Sequence, residues 1–162
     1  MNVTYHRGYD LAENLRPLFL EYAAVLGERG GEQMRQCLAV QNYDEELSHL
    51  EDKYGEPQGR LFLVRCDGKD AGCVAIRKLE EGVCELKRVF LRPEFRGHGV
   101  GRAMMEKIID DARAAGYKLM RLDTTPYLNE AYAVYVKLGF YEIPKYYFTN
   151  PVEKAVYMEK QL

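Results

Sequence analysis

The 162-residue sequence predicts a single mixed α/β (α+β) domain whose sheet is mostly antiparallel and flanked by helices. Three observations carry this. Turn dipeptides at Asp67-Gly68 and Glu81-Gly82 separate three strand-like runs, Arg60 to Cys66, Ala71 to Arg77 and Val83 to Leu91, which form an antiparallel meander. Gly101, Met104, Met105, Ile108, Ile109, Ala112 and Ala115 recur at the spacing of one buried helical face, and Gly116 ends that helix as a C′ residue. A strand at Lys118 to Thr124 then follows, and strand–helix–strand order implies a crossover and a parallel neighbour for Val83 to Leu91.

The remaining elements are read in order. Val3 to Tyr5 reads as a short first strand. Leu11, Leu15, Leu18, Phe19, Tyr22, Val25 and Leu26 form the stripe of a first helix, in which Pro17 fits if Asn14 is the cap. Gly27 and Gly30-Gly31 break that pattern; Glu32 to Val40 reads as helical, as does Asp44 to Lys53 with Asp44 as its cap. Residues 28 to 58 hold eight acidic residues against three basic ones, a solvated face or a surface that attracts a cationic substrate. After Pro126 come a short helix from Asn129 to Leu138, a strand at Phe140 to Ile143, an aromatic-rich loop from Pro144 to Pro151 and a last strand at Val156 to Glu159.

Composition excludes several classes. A net charge of −2 argues against a general nucleic-acid binder. No apolar run approaches the roughly 20 residues of a membrane span, and the N-terminus lacks the apolar core of a signal peptide, so a cytoplasmic location is expected. The four cysteines, at 37, 66, 73 and 84, form no C-x-x-C pair, so no metal site is expected. Cys66, Cys73 and Cys84 read as buried core thiols, with Cys73 and Cys84 facing across a hairpin.

The stretch from Glu85 to Gly101 carries the chemistry. Gly97, Gly99 and Gly101 precede the strongest helix, where unpaired backbone N–H groups and a partial positive charge make an anion site, with Arg96 and His98 beside it. A tight turn with glycines chosen for geometry alone fits the same residues. In the absence of a bulge, strand alternation puts Glu85, Lys87 and Val89 on one face and Leu86, Arg88 and Phe90 on the other.

Arg96-Gly97-His98-Gly99-Val100-Gly101 resembles the R/Q-x-x-G-x-G/A signature of the GNAT superfamily of acyl-CoA N-acyltransferases. The segment Asn129-Glu-Ala-Tyr-Ala-Val-Tyr-Val-Lys-Leu-Gly-Phe140 resembles that family's second motif. The resemblance is strong over residues 61–162 and holds only in outline before that. It implies a sheet splayed between strands 4 and 5, with acetyl-CoA in the cleft as acyl donor. Its pyrophosphate would lie on Arg96, Gly97, His98, Gly99, Val100 and Gly101, its pantetheine arm along Phe90 and Leu91, and Asn129 would touch it. It also implies a bulge near Val89–Leu91 that turns a backbone N–H towards the thioester oxygen.

Acyl transfer to an amine needs a base, because an amine of pKa about 10.4 is almost wholly protonated at pH 7. Glu85 is the candidate; pairing with Lys87 or Arg88 is the alternative. Tyr135 matches the family's proposed general acid for the leaving thiolate, and a core tyrosine is the alternative. Tyr132 is its backup, and Tyr146 and Tyr147 are candidates to line the acceptor side. The resulting expectation is an N-acetyltransferase that acts by direct attack in a ternary complex. Its acceptor is a small-molecule amine or an exposed amino group. The alternative is a non-catalytic acyl-CoA-sensing module of the same fold. A dinucleotide-binding domain is disfavoured, because the loop follows three antiparallel strands. Oligomeric state is left open, a homodimer included.

Overall fold

A computed structural model describes residues 1–147, 152 and 154–162, apart from the side chains of 37 and 39–41. Its strands are β1 (Val3–Arg7), β2 (Arg60–Cys66), β3 (Lys69–Glu80), β4 (Val83–Leu91), β5 (Leu119–Thr124), β6 (Tyr141–Ile143) and β7 (Val156–Gln161). They form one sheet in the order β1-β2-β3-β4-β5-β7-β6. The predicted meander is present, as is the parallel β4–β5 pair. The helices are α1 (Ala12–Gln41), α2 (Tyr43–Ser48), α3 (Leu50–Tyr54), α4 (Val100–Ala114) and α5 (Asn129–Lys137).

The strand period divides the core in two. Val64, Val74, Ile76, Leu86, Met120 and Leu122 point to one side, where they pack against Met104, Met105, Ile108 and Ile109 of α4 and Tyr135 of α5. Leu61, Leu63, Cys73, Ala75 and Phe90 point to the other, against Leu15, Leu18 and Phe19 of α1, Leu47 of α2 and Leu50 and Tyr54 of α3.

Local readings need correction in the N-terminal third. The α1 helix starts at Ala12 and encloses Pro17, with no side-chain cap at its start. Asn14 instead donates to Asp70 at 2.8 Å. An internal proline costs about 3 kcal/mol, and burial of Leu15, Leu18 and Phe19 contributes about 1.5–3 kcal/mol for each side chain, which outweighs it. Helical hydrogen bonding runs through Gly27 and kinks only at Gly31, whose φ of 63° is costly for any residue with a Cβ. The cap of α2 is Asn42, whose side chain accepts from the Glu45 N–H; Asp44 pairs with Arg16 at 2.8 Å.

Two pairing expectations also change. Cys73 stands opposite Phe90 and Cys84 opposite Lys78, so the two thiols do not face each other. Arg88 does not share the face of Leu86. Ala75 pairs with Lys87 and Cys73 with Phe90, so β4 holds one extra residue there. Arg88 takes a φ of 56°, and its side chain turns to Glu46 on the α2 side, while Phe90 joins the α1 core. The end of the aromatic loop at 148–151 lies outside the described residues, as does the side chain of Cys37.

Candidate active site

Parallel pairing between β4 and β5 covers only Val83–Leu119, Cys84–Met120 and Glu85–Arg121. Beyond Glu85 no β4–β5 pair is present among the described residues, so the second half of β4 faces a gap. Two clefts open from the gap.

The first, about 200 Å³, is apolar and is walled by Val89, Phe90 and Leu91 of β4, Gly101, Met104 and Met105 of α4, and Ala131, Val134 and Tyr135 of α5. Tyr22, Val25 and Arg29 of α1 close it. At its mouth stands the glycine loop. Gly97 and Gly99 have φ of 80° and 79°, and a Cβ at either would meet no atom within 4 Å. These glycines therefore serve the turn and leave its outer face open, while Gly99 hands the chain to the first turn of α4. His98 is exposed there, Val100 is buried beneath it, and Arg96 Nε donates to the Leu91 carbonyl at 2.9 Å, tying the loop to the end of β4.

The second cleft, about 70 Å³, is polar and lies on the opposite side of the gap. Lys87, Arg88, Asp123 and Thr124 line it from the strands, Thr125 from just past β5, and Tyr22, Met34 and Tyr43 from the helices. Tyr22, Val89, Leu128 and Tyr135 belong to both clefts and form the wall where they meet.

Tyr135 is thus brought to the junction. Its ring packs on Phe140 at 5.8 Å, and burial pushes its phenol well above the ordinary tyrosine range, so it keeps its proton. Phe90, Leu91, Arg96 and Gly101 all line the first cleft. Asn129 opens α5 but is exposed and lines neither cleft; its neighbours Glu130 and Ala131 do so. Tyr132 donates to Glu142 at 2.7 Å, away from the junction.

Glu85 lines neither of the two clefts. It is 1% exposed, and its carboxylate accepts from Arg77 at 2.9 Å and from the Tyr146 hydroxyl at 2.8 Å. Lys87 Nζ lies 3.4 Å from Glu85 and 3.6 Å from Asp123, which links the buried carboxylate to the one in the polar cleft. Burial alone would raise the pKa of Glu85, but Lys87, Arg77 and the Tyr146 hydrogen bond outweigh it and hold the carboxyl below its ordinary 4.5. The sign follows from a native pKa below the unfolded one. Glu85 contributes stability that is complete above about pH 4.5 and is lost as pH falls through its native value. Thermal melts of Glu85→Gln should therefore show a lower Tm than wild type at pH 7 and a smaller further drop between pH 5 and pH 3.

Sequence reasoning missed Asp123, Arg29 and the pairing of Glu46 with Arg88. Strand parity offered the one usable signal: in β5, Leu122 is in the α4 core, so Asp123 must face the other way. The other two depend on contacts between α1 or α2 and distant elements. Tyr146, Tyr147 and Tyr157 stack edge to face at 5.3–5.5 Å beside Glu85. Burial pushes the Cys73 and Cys84 thiols up to about 12, so neither is a thiolate at neutral pH.

No helix among the described residues is long and apolar enough to cross a membrane. The chain is 38% identical over 127 residues to an uncharacterized N-acetyltransferase of Schizosaccharomyces pombe, covering 77% of each chain. It is 37% identical over 123 residues to an IAA acetyltransferase of Azospirillum brasilense, covering 74% of this chain and 80% of that one. The fold matches the crystal structure of the PaiA N-acetyltransferase of Thermoplasma acidophilum in complex with coenzyme A. The TM-score is 0.75 at 15% identity, with full coverage of both chains. The sequence profile of the acetyltransferase (GNAT) family matches residues 31–140, which takes in the glycine loop, the separated strands, Tyr135 and most of the polar cleft's lining. With that match over two-thirds of its length, the chain belongs to the acetyltransferase (GNAT) family.

Proposed function

We propose that this acetyltransferase moves an acetyl group from acetyl-CoA to a primary amine by direct attack, with both substrates bound at once. The observation that carries the reading is the shared wall: an apolar cleft beside an open glycine loop meets a polar cleft at Tyr135 and Val89. Two substrates can meet there without a covalent enzyme intermediate, and the raised Cys73 and Cys84 thiols fit that route.

The chain's groups suit the donor. Backbone N–H groups of Gly97 to Gly101 at the start of α4 would hold the pyrophosphate, with Arg96 and His98 flanking it. The apolar cleft and the stretch of β4 near Phe90 and Leu91 that walls it would take the pantetheine arm, with Asn129 at the α5 end. When bound, acetyl-CoA supplies an activated acyl group as a thioester. Backbone N–H groups after the bulge are the donors for the charge that develops on its oxygen. Tyr135 gives its proton to the departing sulfur. Asp123, in contact with the polar cleft, accepts the proton of the amine, and Glu85 acts on it through Lys87 as a positioning residue.

The cleft geometry gives a binding prediction. A Cβ at Gly101 would touch only Leu91, at 3.8 Å, and the residue sits inside a helix. Gly101→Leu should keep or raise Tm, since glycine costs a helix about 0.5–1 kcal/mol relative to alanine. Its side chain would fill the apolar cleft and weaken acetyl-CoA binding by about tenfold or more, read by calorimetry.

A screen of CoASH release tests the function as a whole, with acetyl-CoA against small amines, amino acids, polyamines and peptide N-termini. Release that depends on the amine, with a mass gain of one acetyl group on it, is expected. Tight acetyl-CoA binding with no amine-dependent release across the panel would favour the non-catalytic sensing module instead.

A further inference from the structure

Arg88 is a long, non-glycine residue held in the left-handed region in the middle of a strand. The other such residues among those described, Asn42 and Asp67, sit at a helix cap and in the β2–β3 turn. A conformation of this kind persists only where the surroundings over-determine it, and it clusters at sites where geometry matters.

The surroundings here are specific. Arg88 Nε donates to Glu46 Oε2 at 2.6 Å and Nη2 to Glu46 Oε1 at 2.8 Å, a two-point pair with both side chains almost wholly buried. The guanidinium lies 4.7 Å from the Tyr43 ring centre and 5.7 Å from that of Phe19. The Cys73 thiol donates to the Arg88 carbonyl at 3.2 Å, fixing the backbone as well. Glu46 is itself held by the Tyr54 hydroxyl at 3.0 Å and by Lys53. Burial would raise the Glu46 pKa, but Arg88 and Lys53 hold it below the usual carboxylate range, so the pair is ionic at neutral pH.

This clamp has a consequence for the junction. With regular alternation after Lys87, Val89 would face the α1 side and Phe90 the α4 side. The extra residue reverses both: Val89 packs towards the α4 core and lines the shared wall, and Phe90 packs against Tyr22 of α1 at 5.6 Å. The peptide groups that follow are aimed by the same twist.

We propose that Glu46 is a positioning residue for acyl transfer: through its ion pair it holds Arg88 left-handed, and thereby sets the Val89–Leu91 backbone that borders both clefts. The proposal rests on the acetyltransferase reading for its kinetic part only. It also explains why an acid sits buried on α2, a helix that otherwise supplies the outer wall of the site.

The test compares Arg88→Ala with Arg88→Gly and adds Glu46→Gln. The first two delete the same contacts, yet only glycine takes a φ of 56° without strain. Amide hydrogen exchange at 88–91, read without substrate, should be about tenfold faster in Arg88→Ala than in Arg88→Gly. In the acetylation assay, kcat should fall further in Arg88→Ala than in Arg88→Gly. Glu46→Gln keeps shape but loses the charge. It should lower kcat by about tenfold and leave KM for acetyl-CoA within about twofold, as expected of misplaced groups at the reacting centre. Equal exchange in the alanine and glycine variants would overturn the proposal. So would a Glu46→Gln enzyme with lower Tm but wild-type kcat and wild-type exchange at 88–91. If both Arg88 variants fail to fold, the Glu46→Gln result decides alone. A wild-type protein that releases no CoASH would refute the acetyltransferase reading, and the exchange comparison would still judge the clamp.

Discussion

Replacing Tyr135 by Phe should lower kcat by about 100-fold, the lower range for loss of a positioned acid, while leaving KM for acetyl-CoA nearly unchanged. The substitution removes one oxygen and keeps the ring against Phe140, so the fold has little reason to respond. Burial holds the phenol protonated across the working pH range. The same dry surroundings raise the proton affinity of a departing thiolate, which makes a nearby donor valuable. A factor of 100 corresponds to about 2.7 kcal/mol of transition-state stabilisation. Acetyl thioesters of more acidic thiols sharpen the test. Their leaving groups need no proton, so the difference between wild type and Tyr135→Phe should shrink with them. A variant with unchanged kcat and only a lower Tm would return Tyr135 to the role of a core residue.

The C-terminal hundred residues were legible because local and global signals agree there. The β2 and β4 limits match the predicted runs, and the α4 stripe of Met104, Met105, Ile108 and Ile109 is buried as its spacing requires. Hairpin dipeptides and a 3.6-residue period are short-range features, and nothing in the tertiary structure overrides them. The N-terminal third was less legible because long-range burial decided it. Pro17 reads as a helix start, but three core side chains around it carry α1 through. Gly27 reads as a breaker and is tolerated within the helix, whereas Gly31 takes a positive φ and kinks it.

The site divides in the same way. The glycine loop and Tyr135 belong to contiguous motifs, and the structure brings Tyr135, Gly101, Phe90 and Leu91 to one cleft. Glu85 lies on the same stretch as the glycine loop, yet its surroundings could not be read from it: Arg77 and Tyr146 arrive from other elements and engage its carboxylate. Facing along β4 holds only as far as Lys87, and the exact place of the bulge was not legible, because it is set by a partner strand and, here, by an ion pair to α2. Such contacts leave no periodic trace in the sequence.

Asp123→Asn should lower kcat/KM for a lysine-like amine by about 100-fold at pH 7, with little change in acetyl-CoA binding. Asp123 lines the polar cleft with its side chain 22% exposed, and it faces Lys87 at 3.6 Å, which keeps a second charge at the same wall. The argument turns on the acceptor. A lysine-like amine of pKa about 10.4 must lose a proton before it attacks, and at pH 7 only about one molecule in a few thousand has done so. An α-amino group of pKa about 7.8 is roughly a tenth neutral under the same conditions and needs the base far less. The loss caused by Asp123→Asn should therefore be markedly smaller for peptide N-termini or other weakly basic amines than for alkylamines. With alkylamines, the variant's rate should also recover as pH rises towards 10. Equal losses for both acceptor types, with no recovery at high pH, would show that Asp123 holds the cleft together rather than accepting the proton. In that case the base must be sought among water molecules in the polar cleft or the tyrosines beside Glu85.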